Sequence, residues 1–321
     1  MMNGALPDAG LRFETRRESP LDFSAHPKTR GWQYSLQIIP GSDGKHLGFI
    51  GARDLPAPDG DFERRLFIAE STDLVNWTNI KIALEPSDVP GTYGAAHIAD
   101  PFVMEIDGRT YIWFAGINEA VQWQVGCAVS TDGFNTVEVT ETPVIPLSFG
   151  GADKDTVRLT DDFSGVYEDG RILFVYNRGG GNYYGFAGVC DGDPMDPASY
   201  EPIGAIQFDK YPMPDWNAGN MTVYRADEGY YMLRATGVAD AQDISVYVSD
   251  DFVNWRFEDV LLRGGPSGSW NNSVYKAFLL RTGDTWHCSF SGTETPMWLR
   301  GGPATGSNKT FRCGLATAAP Q

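Results

Sequence analysis

The most regular feature of the chain is a succession of short apolar runs cut by turn residues. Between residues 98 and 140 four runs follow one another, at 98–106, 110–116, 124–129 and 136–140. The first two are divided by Asp107-Gly108, a dipeptide that accepts the positive φ of a tight hairpin turn. The second is aromatic and β-branched, the composition that suits a pleated, half-buried surface. No long window shows the 3.6-residue spacing of an amphipathic helix. The pattern predicts an all-β chain of short antiparallel strands.

The pattern repeats. Ser71-Thr72-Asp73-Leu74-Val75-Asn76-Trp77, Ser130-Thr131-Asp132-Gly133-Phe134-Asn135-Thr136 and Ser249-Asp250-Asp251-Phe252-Val253-Asn254-Trp255 begin one and two periods of about 60 residues apart. A degenerate copy of the turn, Val189-Cys190-Asp191-Gly192-Asp193-Pro194, falls where the remaining one is due. A second register agrees. Asp100, Asp162 and Asn220 each stand seven residues before an aspartate turn, at Asp107, Asp169 and Asp227. Four strands per repeat is the signature of a propeller blade. The spacing predicts one domain over 1–321, a five-bladed β-propeller with blades at about 32–85, 95–145, 155–205, 217–263 and 272–317. The last blade has three strands of its own. Residues 11–16 are predicted to add the fourth and close the ring, because an open edge invites aggregation.

Composition narrows the function. Of the 321 residues, 42% are hydrophobic, too many for a disordered chain. The formal net charge of −17 disfavours nucleic acid and anionic lipid as partners. No apolar run approaches the length of a membrane helix. The amino terminus lacks a basic start followed by an apolar core, so the chain as written is expected in the cytoplasm, or secreted or periplasmic if a signal was removed. Cys127, Cys190, Cys288 and Cys313 form no CxxC pair and read as buried, reduced thiols. His26, His46, His97 and His287 show no metal-ligand spacing, and there is no Gly-x-Ser-x-Gly elbow.

The turns at 71–77 and 249–255, with Ala99-Asp100-Pro101-Phe102-Val103 ahead of Asp107-Gly108, resemble motifs of five-bladed propeller glycoside hydrolases, family 43 and its relatives in families 32, 62, 68 and 117. The resemblance implies hydrolysis of furanosidic or pentosidic linkages in an oligosaccharide or polysaccharide, by carboxylates converging in a central funnel. It implies no required cofactor, and it allows one divalent ion in the funnel. Family 43 members place a base aspartate at the start of blade 1. The corresponding stretch, Gly31-Trp32-Gln33-Tyr34-Ser35-Leu36-Gln37, carries no acid. The acid glutamate of that family also has no clear match. Alternatives are therefore a non-catalytic carbohydrate-binding propeller, or a sialidase-like or glycoside-phosphorylase propeller.

Asp100 and Asp162 share one inner-strand register in neighbouring blades and are expected to face the same cavity. Strand alternation would turn Asp161 away from Asp162. Glu119, following an aromatic strand, is the expected proton donor. Asp22, Asp54, Asp155, Asp215 and Glu294 are rival acids near strand ends. Trp32, Trp123 and Trp216, with Trp270 and Trp298, offer flat surfaces for sugar rings; His97 and Arg178 offer hydrogen bonds to hydroxyls or carboxylates.

Overall fold

The computed structural model describes residues 13–15, 19–53, 63–179, 183–210, 220–238, 241–294 and 311–318. Among them there is no α-helix; the only helical pieces are three short 3-10 turns, at Pro27–Thr29, Phe149–Gly151 and Pro197–Ser199. The strands fall into five antiparallel meanders. The first holds β2 (Trp32–Pro40), β3 (His46–Arg53), β4 (Arg65–Ser71) and β5 (Thr78–Leu84), after the short β1 (Glu14–Thr15). The second holds β6 (His97–Ile106), β7 (Arg109–Ile117), β8 (Trp123–Ser130) and β9 (Glu138–Val139). The third holds β10 (Leu159–Glu168), β11 (Arg171–Gly179), β12 (Tyr183–Cys190) and β13 (Tyr200–Ala205). A two-residue β14 (Gln207–Phe208) precedes the fourth, which holds β15 (Thr222–Arg225), β16 (Tyr230–Val238), β17 (Ala241–Ser249) and β18 (Asn254–Leu262). The fifth holds β19 (Ser273–Thr282), β20 (Thr285–Thr293) and β21 (Arg312–Ala318). Glu14 and Thr15 pair antiparallel with Thr317 and Ala316, so β1 lies on the outer edge of that meander.

Side chains stitch the first strand of one meander to the next. Gln37 accepts from the Val103 N–H at 2.6 Å and donates to the Val103 carbonyl at 2.8 Å. Ser164 Oγ accepts from the Val223 N–H, and Tyr224 Oη accepts from the Leu279 N–H. The fifth meander reaches back to the first: Ser289 Oγ donates to the Leu36 carbonyl, and Ser291 Oγ accepts from the Ser35 N–H at 2.7 Å. These bonds satisfy backbone groups that the sheets leave unpaired, which burial would otherwise make costly.

The three Ser-x-Asp turns are built alike. In each, the serine hydroxyl accepts backbone N–H groups just ahead of it, and the aspartate accepts from the residues that follow. The Asn76 N–H lies 2.7 Å from Asp73, the Asn135 N–H 3.0 Å from Asp132, and the Asn254 N–H 2.7 Å from Asp251. Backbone hydrogen bonds, first from Thr136 and from Asn254 respectively, pull Asp132 and Asp251 down to about 2. Asp73 is lowered by the same means, chiefly by Asn76. Trp77 and Trp255 then pack into buried clusters, against Phe23 at 5.5 Å and Phe252 at 5.7 Å between ring centroids. Gly48 faces Trp77 so closely that a Cβ there would lie 2.6 Å from the ring. All four cysteines are buried and unbridged.

Candidate active site

The first strand of each meander carries one non-glycine residue with positive φ near its start: Ser35 (58°), Asp100 (53°), Asp162 (55°), Asn220 (56°) and Lys276 (49°). In four of the five strands the pairing register slips at that point, between Tyr34 and Gln37, Ala99 and Phe102, Asp161 and Ser164, and Tyr275 and Phe278. Asn220 stands just before β15. A left-handed backbone at such residues costs about 1–3 kcal/mol, and such strain gathers where a site must aim its side chains. The bulges overturn the alternation expected of Asp161 and Asp162. With two residues dropped from the ladder, both carboxylates are buried in the same polar cluster.

Three of the five positions meet at one ammonium. Lys276 Nζ lies 3.1 Å from Asp100 Oδ1 and also contacts Asp162 Oδ1. The three side chains keep only 8%, 11% and 9% of their exposure, so the pairing is largely shielded from water. The other oxygen of Asp162 accepts from Asn177 Nδ2 at 2.5 Å and from the Asn220 N–H at 3.2 Å. Asp162 is thus held on three sides. Asp161 sits beside this group, fully buried, and its Oδ1 has no hydrogen-bond partner among the described residues. Burial first, and the charge of Asp100 second, raise its carboxyl to about 7; Lys276 and a hydrogen bond from Asn177 offset part of that rise. The cluster therefore combines a desolvated carboxylic acid with two carboxylates that share a cation.

The remaining candidates take different places. Glu119 is exposed on the loop after β7, where its carboxylate accepts from the Gly91 N–H at 3.2 Å. His97 begins β6, three residues from Asp100, and its Nδ1 accepts from the Arg64 N–H at 3.3 Å. Trp32 and Trp123 begin β2 and β8, and both are half-buried. The Arg53 guanidinium lies 3.3 Å from the centre of the Trp32 ring. Arg178 is occupied in the wall: it donates to the Phe149 carbonyl and lies 3.7 Å over the Phe186 ring. Asp22 accepts from the Ser24 N–H and bridges to Asn76, in the turn at 71–77. Asp155 and Glu294 are exposed. Trp216, Trp298, Asp54 and Asp215 lie outside the described residues.

The shared register of Asp100 and Asp162 does not by itself point to Lys276, Asn177 or Ser35. A signal for Lys276 exists: it is the one charge in the apolar run Val274–Leu280, and it stands seven residues before the Gly283 turn. An ammonium already bridges Asp100 and Asp162, and no group of three or more His, Cys, Asp or Glu able to hold a metal occurs among the described residues. A cavity of about 610 Å³ lies farther along the same strands, lined in part by Gln37, Tyr167, Tyr224, Arg225 and Trp286. It excludes the carboxylates. Gln37 and Tyr224 there are committed to backbone bonds, and Arg225 pairs with Glu168 at 3.0 Å.

No protein-family model matches the chain, and no curated protein matches it. Solved structures do. Zg3597, a family 117 glycoside hydrolase from the marine bacterium Zobellia galactanivorans, superposes with a TM-score of 0.69 at 14% identity, covering 98% of this chain and 92% of that one. CoXyl43, a family 43 β-xylosidase/α-arabinofuranosidase from a compost microbial metagenome, solved with xylotriose, gives 0.61 at 14% identity, covering 94% of each chain. The β-1,2-mannobiose phosphorylase of Listeria innocua gives 0.64 at 12% identity, covering 96% of each chain. The chain has the fold of the glycoside hydrolases of families 43 and 117.

Proposed function

We propose that the protein is a glycoside hydrolase acting on furanosidic or pentosidic linkages. In this reading the five meanders are the blades of a propeller, and β1 closes the ring. The bulged ends of the inner strands form a funnel that receives an oligosaccharide or polysaccharide. The carrying observation is the cluster in which Lys276 joins Asp100 and Asp162 beside the raised Asp161. Asp161 holds its proton near neutral pH and gives it to the departing glycosidic oxygen. Asp100, with an oxygen not taken by Lys276, draws a proton from water or faces the positive charge that develops on the sugar. Asp162, tied to Asn177, Asn220 and Lys276, positions the pair. Glu119, exposed and bonded to Gly91, is less well placed to be the donor than Asp161. No cofactor is needed for these steps.

A screen of aryl-glycosides and oligosaccharides, read by product release and product anomer, tests the reading. Pentosides or furanosides should be cleaved, and Asp161→Asn and Asp100→Asn should each lower turnover by about 10²–10⁴ while the fold survives. Binding without turnover on every member would instead indicate a carbohydrate-binding propeller. A second reading, phosphorolysis, is favoured by Ser35, which leaves the first blade without a base. Turnover that requires inorganic phosphate would select it.

A further inference from the structure

Above the carboxylate cluster, Arg64 is set among three aromatic rings. Its guanidinium carbon lies 5.7 Å from the centre of Trp32, 6.0 Å from Tyr34 and 5.4 Å from Trp123. The backbone fixes this placement. The Arg64 N–H donates to His97 Nδ1, and its carbonyl accepts from the Ile98 N–H at 3.0 Å, so Arg64 is anchored to the start of the strand that carries Asp100. Burial raises the Tyr34 phenol, and Arg64 pulls it partly back by its charge and a side-chain hydrogen bond, with Asp100 among the other charged neighbours of Tyr34. The residue is half-buried, and no carboxylate of the described residues lies within ion-pairing distance of it. Its neighbour Arg65, by contrast, pairs with Glu63 and Glu85.

In a chain with 42 acidic and 25 basic side chains, a half-buried arginine at the start of the strand that carries Asp100, with no acidic partner among the described residues, points to a ligand. A guanidinium has five N–H donors, so one bond to Tyr34 leaves others, and its planar fork matches a carboxylate with two parallel hydrogen bonds. Trp123 supplies a flat face against which a sugar ring can lie, whereas the Trp32 ring already carries Arg53. We infer that Arg64 anchors an oxyanion subsite, and that the protein takes a saccharide bearing a carboxylate, of the uronic acid class, next to the bond that enters the cluster. This inference rests on the saccharide reading of the site and narrows its substrate class.

The test uses oligosaccharides in matched pairs, each uronate-containing member against its carboxyl-reduced neutral twin, with inorganic phosphate as a separate probe. Binding is measured by calorimetry on wild type and on Arg64→Met, which keeps an apolar stem against the rings but removes the fork. Wild type should bind one uronate member at least about tenfold more tightly than its twin, with a preference that fades as salt rises. Arg64→Met should erase the preference and leave the melting temperature unchanged. Should that variant unfold, Arg64→Gln provides the same comparison. Equal binding of the twins across the set, or a preference that survives loss of Arg64, overturns the inference. So does Arg64-dependent binding of phosphate without any uronate preference. Cleavage of neutral members alone would sink this inference and leave the hydrolase reading standing. Arg64-dependent uronate binding with no cleavage would do the reverse.

Discussion

The Ser-x-Asp turns and the inner-strand bulges are both repeated around the molecule, but they repeat different things. The turns keep their residues: Ser71 and Asp73, Ser130 and Asp132, and Ser249 and Asp251 make the same bonds three times. The bulges keep only their backbone. Four first strands, and the residue just before the remaining one, place a left-handed backbone at one position, and the side chains there are serine, two aspartates, lysine and asparagine. A repeated residue with repeated bonds answers a structural need that recurs in three of the five meanders. A repeated backbone with changing residues turns several different groups toward one point, as a reaction requires. On the proposed function, the periphery is scaffold and the bulges are the proposed site.

Substitutions can break this contrast. The largest effect is expected at Asp161→Asn, which keeps the shape and removes the exchangeable acid. Turnover on a confirmed substrate should fall by about 10²–10⁴, the usual contribution of acid–base catalysis. Stability should respond in the opposite sense at high pH. The folded carboxyl, raised to about 7, holds a proton that the unfolded chain releases near pH 4. Its stabilising contribution is thus complete below pH ~4 and is lost as pH rises through ~7. Denaturant melts of wild type and variant at pH 4 and pH 8 should show Asp161→Asn gaining relative stability at the higher pH.

Lys276→Met should come next. It leaves Asp100 and Asp162 buried without the cation they share, a change that typically costs about 3–5 kcal/mol. It also removes the charge that partly lowers Asp161. In the protein that still folds, the alkaline limb of the pH–rate profile should move to higher pH. A merely structural lysine would not move it.

At the periphery, Trp255→Ala should cost about 3–5 kcal/mol, because the ring is only 2% exposed. The turnover of the folded fraction should be that of wild type. A loss of turnover at unchanged stability would place this tryptophan in the site. The smallest effect belongs to Asp251→Ala, which removes a cap-like set of backbone bonds and should cost roughly 1 kcal/mol. Because Asp251 is drawn down to about 2, its contribution is present above pH ~4 and lost as pH falls toward 2. The difference between wild type and variant in chemical melts should close over that interval.

The contrast also explains what could be read from sequence. The scaffold was legible because its turns demand particular atoms: a hydroxyl, a carboxylate and an asparagine at fixed spacing. The same spacing placed Asp100 and Asp162 in one register. The companions of the cluster were less legible. Lys276 is followed by Thr282-Gly283 instead of Asp-Gly, so the turn that marks the register changes its residues there. Asn177 reaches Asp162 from the neighbouring strand, through a pairing that the register alone does not give. Period-2 alternation sets Asp161 and Asp162 on opposite faces and leaves either one as the inward acid, because it assumes an unbroken ladder. A bulge breaks that assumption, and nothing in Thr160-Asp161-Asp162-Phe163 announces one.

The central claim is that the bulges create one protonated acid beside two carboxylates that share a cation. Carbon-13 NMR of aspartate side-chain carboxyls, followed from pH 3 to pH 9 in wild type and Asp161→Asn, tests it without a substrate. One wild-type resonance should titrate near pH 7 and be absent from the variant. If every aspartate in the folded protein has titrated by about pH 5, the normal upper range for a carboxyl, Asp161 is not the acid.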